Sequence, residues 1–217
     1  MGIDSHPSVM PLLRVRLPKL TVNQRPSGQD SPSLSNGTIF RSFMKSVLVS
    51  LDVEADGPCP GLYSMVSFGA VVVDDKGLHN TFYGKVRPIT DIWVPEALAV
   101  SGHTREEHMT FDDPATVMVA FREWLQKQGR CIAIMDNPAF DWQWVNYYFH
   151  KYVGSNPFGF SARRIGDIYA GMQRNLFVKW KHLRVTKHTH NPVDDAKGNA
   201  EALLAMHKMG LKGIINT

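Results

Sequence analysis

Ser46-Val-Leu-Val-Ser-Leu-Asp-Val-Glu54 is an apolar run that ends in two carboxylates, and the placement of those two groups decides how the rest of the chain is read. Side chains alternate along an extended strand, so Asp52 and Glu54 share one face while Val47, Val49, Leu51 and Val53 take the other. Two carboxylates on one face at the exit of a buried strand repel each other unless a cation lies between them. Hard divalent ions such as Mg²⁺ or Mn²⁺, which take oxygen ligands, meet that requirement. The plain alternative is a strand running into a solvated turn, Ala55-Asp-Gly-Pro-Cys-Pro-Gly61, because Asp and Gly are ordinary turn residues. Further carboxylates downstream separate the two readings.

Outward from that run, the pattern predicts strands over 63–74 and 78–87, the second hairpin turning at Asp74-Asp-Lys-Gly77. A short helix is expected over 95–101. Asp112 or Asp113 then caps a helix to about Gln128, with Pro114 in its first turn and Gly129 closing it. Val117, Ala120, Phe121, Trp124 and Leu125 form its core stripe. A strand over 131–135 follows, then helices over 138–152, 161–173 and 192–209. Three strands in hairpin order, then helix, strand and helices, predict an α/β fold: a mixed sheet flanked by helices, with 46–54 central. One domain is expected over 46–210, followed by a C-terminal tail over 211–217.

Composition sets outer limits. The chain has 217 residues, 43% of them hydrophobic, with nothing near the ~18–20 consecutive apolar residues of a membrane span. Two cysteines, Cys59 and Cys131, supply neither a disulfide framework nor metal-ligand spacing. They fit a reducing compartment, and a cytoplasmic location is expected. The net charge is +4, and it is unevenly placed. Six basic groups (Arg14, Arg16, Lys19, Arg25, Arg41, Lys45) against Asp4 and Asp30 put that whole excess in residues 1–45, so the remainder balances. This stretch is rich in Ser, Pro, Asn and Gly without a sustained period, and it is expected to be a disordered extension. Translation starting at Met44 would also account for it, and its Arg/Ser bias weakly suggests a transit peptide.

Two later segments carry candidate partners for the first carboxylates. In Asn137-Pro-Ala-Phe-Asp141, Asp141 opens a helix and shares one face with Trp144, Val145 and Tyr148. An inward aspartate is costly unless paired or coordinated, although a first-turn Asp also gains from the helix dipole. In His190-Asn-Pro-Val-Asp-Asp195-Ala196 the helical period arbitrates between two aspartates. Asp194 projects with Lys197, Glu201 and Lys208, a solvated face, whereas Asp195 projects with Ala202 and Met206, beside Leu203. Asp195 is therefore the expected ligand. His190 is a candidate general base, with His182 and His188 as competitors. The His-x-His pair is weak evidence for zinc without further spaced ligands.

Taken together, Asp52-Val-Glu54, Asn137-x-x-Phe-Asp141 and His190-x₄-Asp195-Ala resemble the motifs of the DEDDh (DnaQ-like) 3′→5′ exonuclease family, in order, spacing and structural context, over roughly 46–209. The resemblance implies an RNase H-like fold and two divalent ions, Mg²⁺ or Mn²⁺, held by Asp52, Glu54, Asp141 and Asp195. It implies that His190 activates water, and that the enzyme hydrolyses nucleic acid from its 3′ end to release mononucleotides. Homodimers occur among similar enzymes, so a second copy is a candidate partner beside single-stranded RNA or DNA 3′ ends. The chain departs from the family in carrying Ala55 where Thr often follows the glutamate, and Asp136 before the Asn of the middle motif. Both departures bear on substrate positioning more than on metal binding.

Seven basic residues (Arg163, Arg164, Arg174, Lys179, Lys181, Arg184, Lys187) against only Asp167 lie between the last two motifs. Phe177 and Trp180 are interleaved among them, a composition suited to phosphate contacts and base stacking. Its alternative is a solvated basic face with the aromatics packed inward. Expected substrate contacts are Ala55, Met65 (or Tyr63), Phe140, Arg184 and Lys187. Asp167 reads better as a surface or helix-start residue than as support for the site. Trp142 and Trp144 read as rim and core packing. Two other functions fit part of the pattern: a catalytically silent nucleic-acid-binding module, and a metallophosphoesterase of small nucleotides.

Overall fold

A computed structural model describes residues 46–214. The expectations for 1–45, the Met44 start and the last three residues of the C-terminal tail lie outside them. Five strands form one sheet in the order β3-β2-β1-β4-β5. β1 (Ser46–Ala55) is central, antiparallel to β2 (Met65–Asp74) and parallel to β4 (Arg130–Met135). β3 (Gly77–Lys85) and β5 (Ala162–Arg164) are the edges. The sequence pattern matches these positions. β2 is a nearly continuous apolar run because both of its faces are covered. β3 carries exposed polar residues, as an edge strand tolerates.

The alternation of β1 divides the core. Val49, Leu51 and Val53 pack with Phe121, Trp144 and Phe149 of α3 (Pro114–Gln128) and α4 (Pro138–Val153). Leu48, on the opposite face, packs with Ala196, Ala200 and Leu203 of α6 (Pro192–Lys208). Asp52 and Glu54 therefore lie on the α6 side. The β1–β4 ladder ends at Ser50↔Ile134, so beyond it the two parallel strands separate. That opens a crevice at their carboxyl ends, where ligands of open α/β sheets bind.

Local capping follows the sequence closely. Asp113 accepts from Ala115 N (3.0 Å) and Thr116 N (3.2 Å) to start α3, and Gly154 ends α4 in the left-handed region (φ 84°). Two expectations need correction. Ala120 is exposed and Met118 is buried in its place; Met118, Phe121 and Leu125 keep the helical spacing, so the stripe is rotated slightly. The helix expected over 161–173 is instead β5 followed by α5 (Ile165–Gln173). The free edge of β4 pairs with Ala162–Arg164, a tertiary hydrogen-bond ladder that no local propensity announces. Two one-turn helices join the list after α1 (Pro95–Val100): α2 (Arg105–Met109) and a 3₁₀ turn at Lys181–Leu183. Among the described residues, no helix is long and apolar enough to cross a membrane.

Candidate active site

Register and one glycine bring the carboxylates together. Asp52 lies opposite Gly69 of β2, and a Cβ on Gly69 would collide with the backbone of Pro192 and Val193. The absent side chain lets the first turn of α6 press against the sheet beside Asp52. Asn191 caps that turn by accepting from Val193 N (3.0 Å), and Asp195 then points inward, fully buried. One carboxylate oxygen each from Asp52, Glu54 and Asp195 lies within 4.8 Å of the others. Asp141, 4% exposed, comes from α4. Its Oδ1 accepts from Val53 N (3.1 Å) and its Oδ2 from Asn137 N (3.3 Å), which fixes it at the strand exit. Asp52, Glu54 and Asp141 line a common cavity of about 460 Å³ with His188 and His190.

α6 also shapes the loop that carries His190. Glu201 accepts from Val185 N (2.9 Å), Thr186 N (2.6 Å) and Thr186 Oγ1 (2.8 Å). Asp195 accepts from Thr189 N (3.3 Å) and His190 N (3.0 Å). His190 takes a left-handed backbone, φ 60°, an uncommon conformation for a side chain with Cβ that surrounding bonds must hold. Its Nδ1 is 3.5 Å from Glu54 Oε1. The Arg184 guanidinium, 7% exposed, meets Asp195 Oδ1 at 2.7 Å. It fits because residue 198 is glycine; a Cβ there would strike it. His188 Nδ1 reaches the same oxygen at 2.8 Å.

The electrostatics are those of negative charge gathered out of water. Burial, and then the neighbouring Asp141, Asp195 and Glu54, hold the Asp52 carboxyl well above its ordinary range, with Arg184 opposing them. Burial, Asp195 and Asp141 push Glu54 up to about 8. Burial pushes Asp141 to about 7 against the lowering effect of its backbone hydrogen bonds. Such a cluster holds protons near neutrality unless a cation replaces them. Its donors at Asp52, Glu54 and Asp195 are all oxygen, which suits Mg²⁺ or Mn²⁺.

Of the expected substrate contacts, Ala55 and Phe140 line the cavity and Lys187 is exposed. Met65 and Arg184 need correction. Met65 is fully buried, its N–H donating to Tyr148 Oη (2.9 Å), so its side chain is core. Arg184 is turned inward onto Asp195 rather than outward to a strand. Tyr63 is half-buried against the core. Asp194 is half-buried, 3.9 Å from Lys197. Asp167 is exposed and paired with Arg164 at 2.9 Å. Asp136 lines the cavity and meets Lys181 at 3.0 Å. Trp144 and Trp180 are buried, Trp142 is half-buried and Phe177 is 91% exposed.

Sequence reasoning missed the brace behind the cavity wall. Asp56, fully buried, accepts from Ser64 N and from Arg105 Nη1 (3.0 Å), while Arg105 Nη2 donates to Thr90 O (2.9 Å). The Asp56 carbonyl accepts from Val94 N (2.8 Å), which ties α1 and its wall residues Val94, Ala97 and Val100 to the end of β1. The Thr104–Glu107 capping box marks the start of α2 in the sequence, but it does not mark the pairing of Arg105 with Asp56.

No family model matches the chain. The 3′-5′ DNA exonuclease Cap18 of Escherichia coli is 34% identical over 180 residues, covering 77% of this chain and 95% of that protein. Among solved structures, the nuclease domain of 3′hExo, a DEDDh family member bound to rAMP, superposes with a TM-score of 0.61 at 15% identity, covering 78% of this chain and 94% of that one. Cell-death related nuclease 4 gives 0.62 at 16% identity, covering 77% and 67%. The zinc-bound E. coli exonuclease I–ssDNA complex gives 0.59 at 19% identity over 74% of this chain, which spans 40% of that enzyme's length. A relative matched along nearly its whole length, the shared fold and the three motifs lead to one assignment: this chain belongs to the DEDDh family of 3′→5′ exonucleases.

Proposed function

We propose that the enzyme removes nucleotides singly from the 3′ end of single-stranded DNA. Asp52, Glu54, Asp141 and Asp195 hold two Mg²⁺ or Mn²⁺ ions, and His190 is the general base. One observation carries this reading: the oxygens of Asp52, Glu54 and Asp195 converge within 4.8 Å, with the His190 ring 3.5 Å from Glu54. DNA is taken as the substrate from the E. coli relative.

Bound between these carboxylates, the ions would neutralise the site and stabilise charge on the attacking and leaving oxygens. The protein supplies the remainder. The cavity, about 460 Å³, is within the range of small-molecule sites. Its apolar wall of Pro58, Val94, Ala97, Val100 and Phe140 takes the base and sugar of the terminal nucleotide and excludes water from around them. His190 Nδ1 is oriented by Glu54, which leaves Nε2 to accept a proton from the attacking water. The water oxygen bonds to phosphorus as the bond from phosphorus to the preceding 3′ oxygen breaks. The products are a nucleoside 5′-monophosphate and a strand one residue shorter with a new 3′ hydroxyl.

The test is a time course on matched DNA and RNA strands with free or blocked 3′ hydroxyls, in Mg²⁺ or Mn²⁺. The expected result is a ladder that shortens from free 3′ ends, faster on DNA, and is lost in Asp195→Asn. Absence of cleavage by folded protein under either ion would overturn the reading. Faster cleavage of RNA would overturn its choice of DNA, and cleavage confined to dinucleotides would replace the polymer with small nucleotides.

A further inference from the structure

The geometry points to a second metal site, formed by His188, His190 and Asp195, that takes a borderline transition ion such as Zn²⁺. One ligand atom from each of the three lies within 4.8 Å of the others. His188 Nδ1 is 2.8 Å from Asp195 Oδ1, and the two imidazole rings stand 4.3 Å apart between centroids. The loop is folded for this by Asp195 itself, which accepts from the backbone of both Thr189 and His190. His190 is held in its left-handed conformation, and residues 188 and 190 are brought to one carboxylate. Arg184 grips that carboxylate from the buried side, so Asp195 keeps its orientation independently of the histidines.

Donor chemistry separates this set from the carboxylate cluster. Two imidazoles and one carboxylate, with an open side, form a three-ligand arrangement that suits tetrahedral Zn²⁺ and leaves a fourth position for water. Imidazole favours Zn²⁺ and its neighbours, whereas Mg²⁺ and Mn²⁺ prefer the all-oxygen set of Asp52, Glu54 and Asp195. Both histidine side chains are 46% exposed while Asp195 is buried, so an ion reaches the site from solvent without opening the core. The two sets share Asp195. Zn²⁺ on the histidine side therefore removes a carboxylate from the hydrolytic ions and occupies the base His190. This consequence rests on the function proposed above, and it makes the enzyme sensitive to the ratio of Zn²⁺ to Mg²⁺.

Two readouts on the full chain test the site. The first needs no turnover: Zn²⁺ is titrated in competition with a chromogenic chelator. Wild type is expected to take up one Zn²⁺ at this site, and His188→Ala to bind it at least about tenfold more weakly, as loss of a direct ligand requires, with Mn²⁺ uptake unchanged. His188→Gln, read beside it with thermal melts, keeps the comparison valid should the alanine variant fold poorly. In the second readout, Zn²⁺ added to the Mg²⁺-loaded enzyme slows cleavage, excess Mg²⁺ relieves the inhibition, and both variants need more Zn²⁺ for the same fractional loss. Equal Zn²⁺ affinity in wild type and both folded variants would overturn the site. So would Zn²⁺ uptake abolished by Glu54→Gln but untouched at residue 188, which would place the ion among the carboxylates. An enzyme that binds Zn²⁺ through His188 but cleaves nothing would refute the proposed function and leave this site standing.

Discussion

Stripping divalent metal from the protein should make it less stable as the solution becomes more alkaline, the reverse of what paired surface carboxylates produce. Glu54 is raised from 4.5 to about 8 and Asp141 from 3.8 to about 7. Burial is the leading cause for both, with repulsion from neighbouring acids added. Above about pH 5 the unfolded chain has released most of these protons while the folded protein retains them. Stability therefore falls as pH rises through the folded values. Worked through the linkage relation at about 1.4 kcal/mol per unit, each carboxyl removes roughly 3 kcal/mol between pH 5 and pH 8. Mg²⁺ or Mn²⁺ competes with those protons, so its stabilisation, ~2.7 kcal/mol at a hundredfold excess over Kd, should grow over the same interval. The assay is urea denaturation at pH 5, 6, 7 and 8, in chelator and in excess Mn²⁺. A metal-free stability that is flat or rises from pH 5 to 8 would refute the reasoning. So would Mn²⁺ protection that is equal at both ends.

Three further substitutions have defined outcomes. His190→Ala should lower kcat by about 10²–10⁴-fold and leave Mn²⁺ binding intact; a loss of binding in parallel would make the residue a ligand rather than the base. Arg184→Met removes one partner of a buried ion pair and should cost the metal-free protein about 3–5 kcal/mol, read by urea denaturation in chelator; unchanged stability would contradict the contact with Asp195. Gly69→Ala places a methyl group against the backbone of Pro192 and should cost roughly 1–3 kcal/mol while weakening Mn²⁺ affinity, since α6 carries Asp195; a wild-type melt and affinity would show that the helix start tolerates displacement.

What the sequence revealed, and what it concealed, divides by the range of the interaction. The alternation in 46–54 and the helical period after Asn191 are local properties, so the central strand, the inward Asp141 and the preference for Asp195 over Asp194 were legible. β5 was not, because Ala162–Arg164 is a strand only through the β4 edge. Arg184 was misread for a related reason. A basic residue in a basic stretch looks solvent-facing until Gly198, fourteen positions later, is seen to make room for it. Met65 follows the loop after β1 closely enough to be expected at the substrate, yet it opens β2, which is covered on both faces. The Asp56–Arg105 brace joins residues 49 apart, and neither end carries a mark of its partner.

The most direct test of the central claim is an electron paramagnetic resonance titration of Mn²⁺ into the full chain in the presence of a nucleoside 5′-monophosphate. The account predicts two ions bound per chain in wild type, with affinity sharply reduced by Asp52→Asn and by Asp195→Asn. It also predicts that His188→Ala leaves this titration unaltered. Folded protein that binds no Mn²⁺, or binds it equally well without the carboxylates of Asp52 and Asp195, would contradict it.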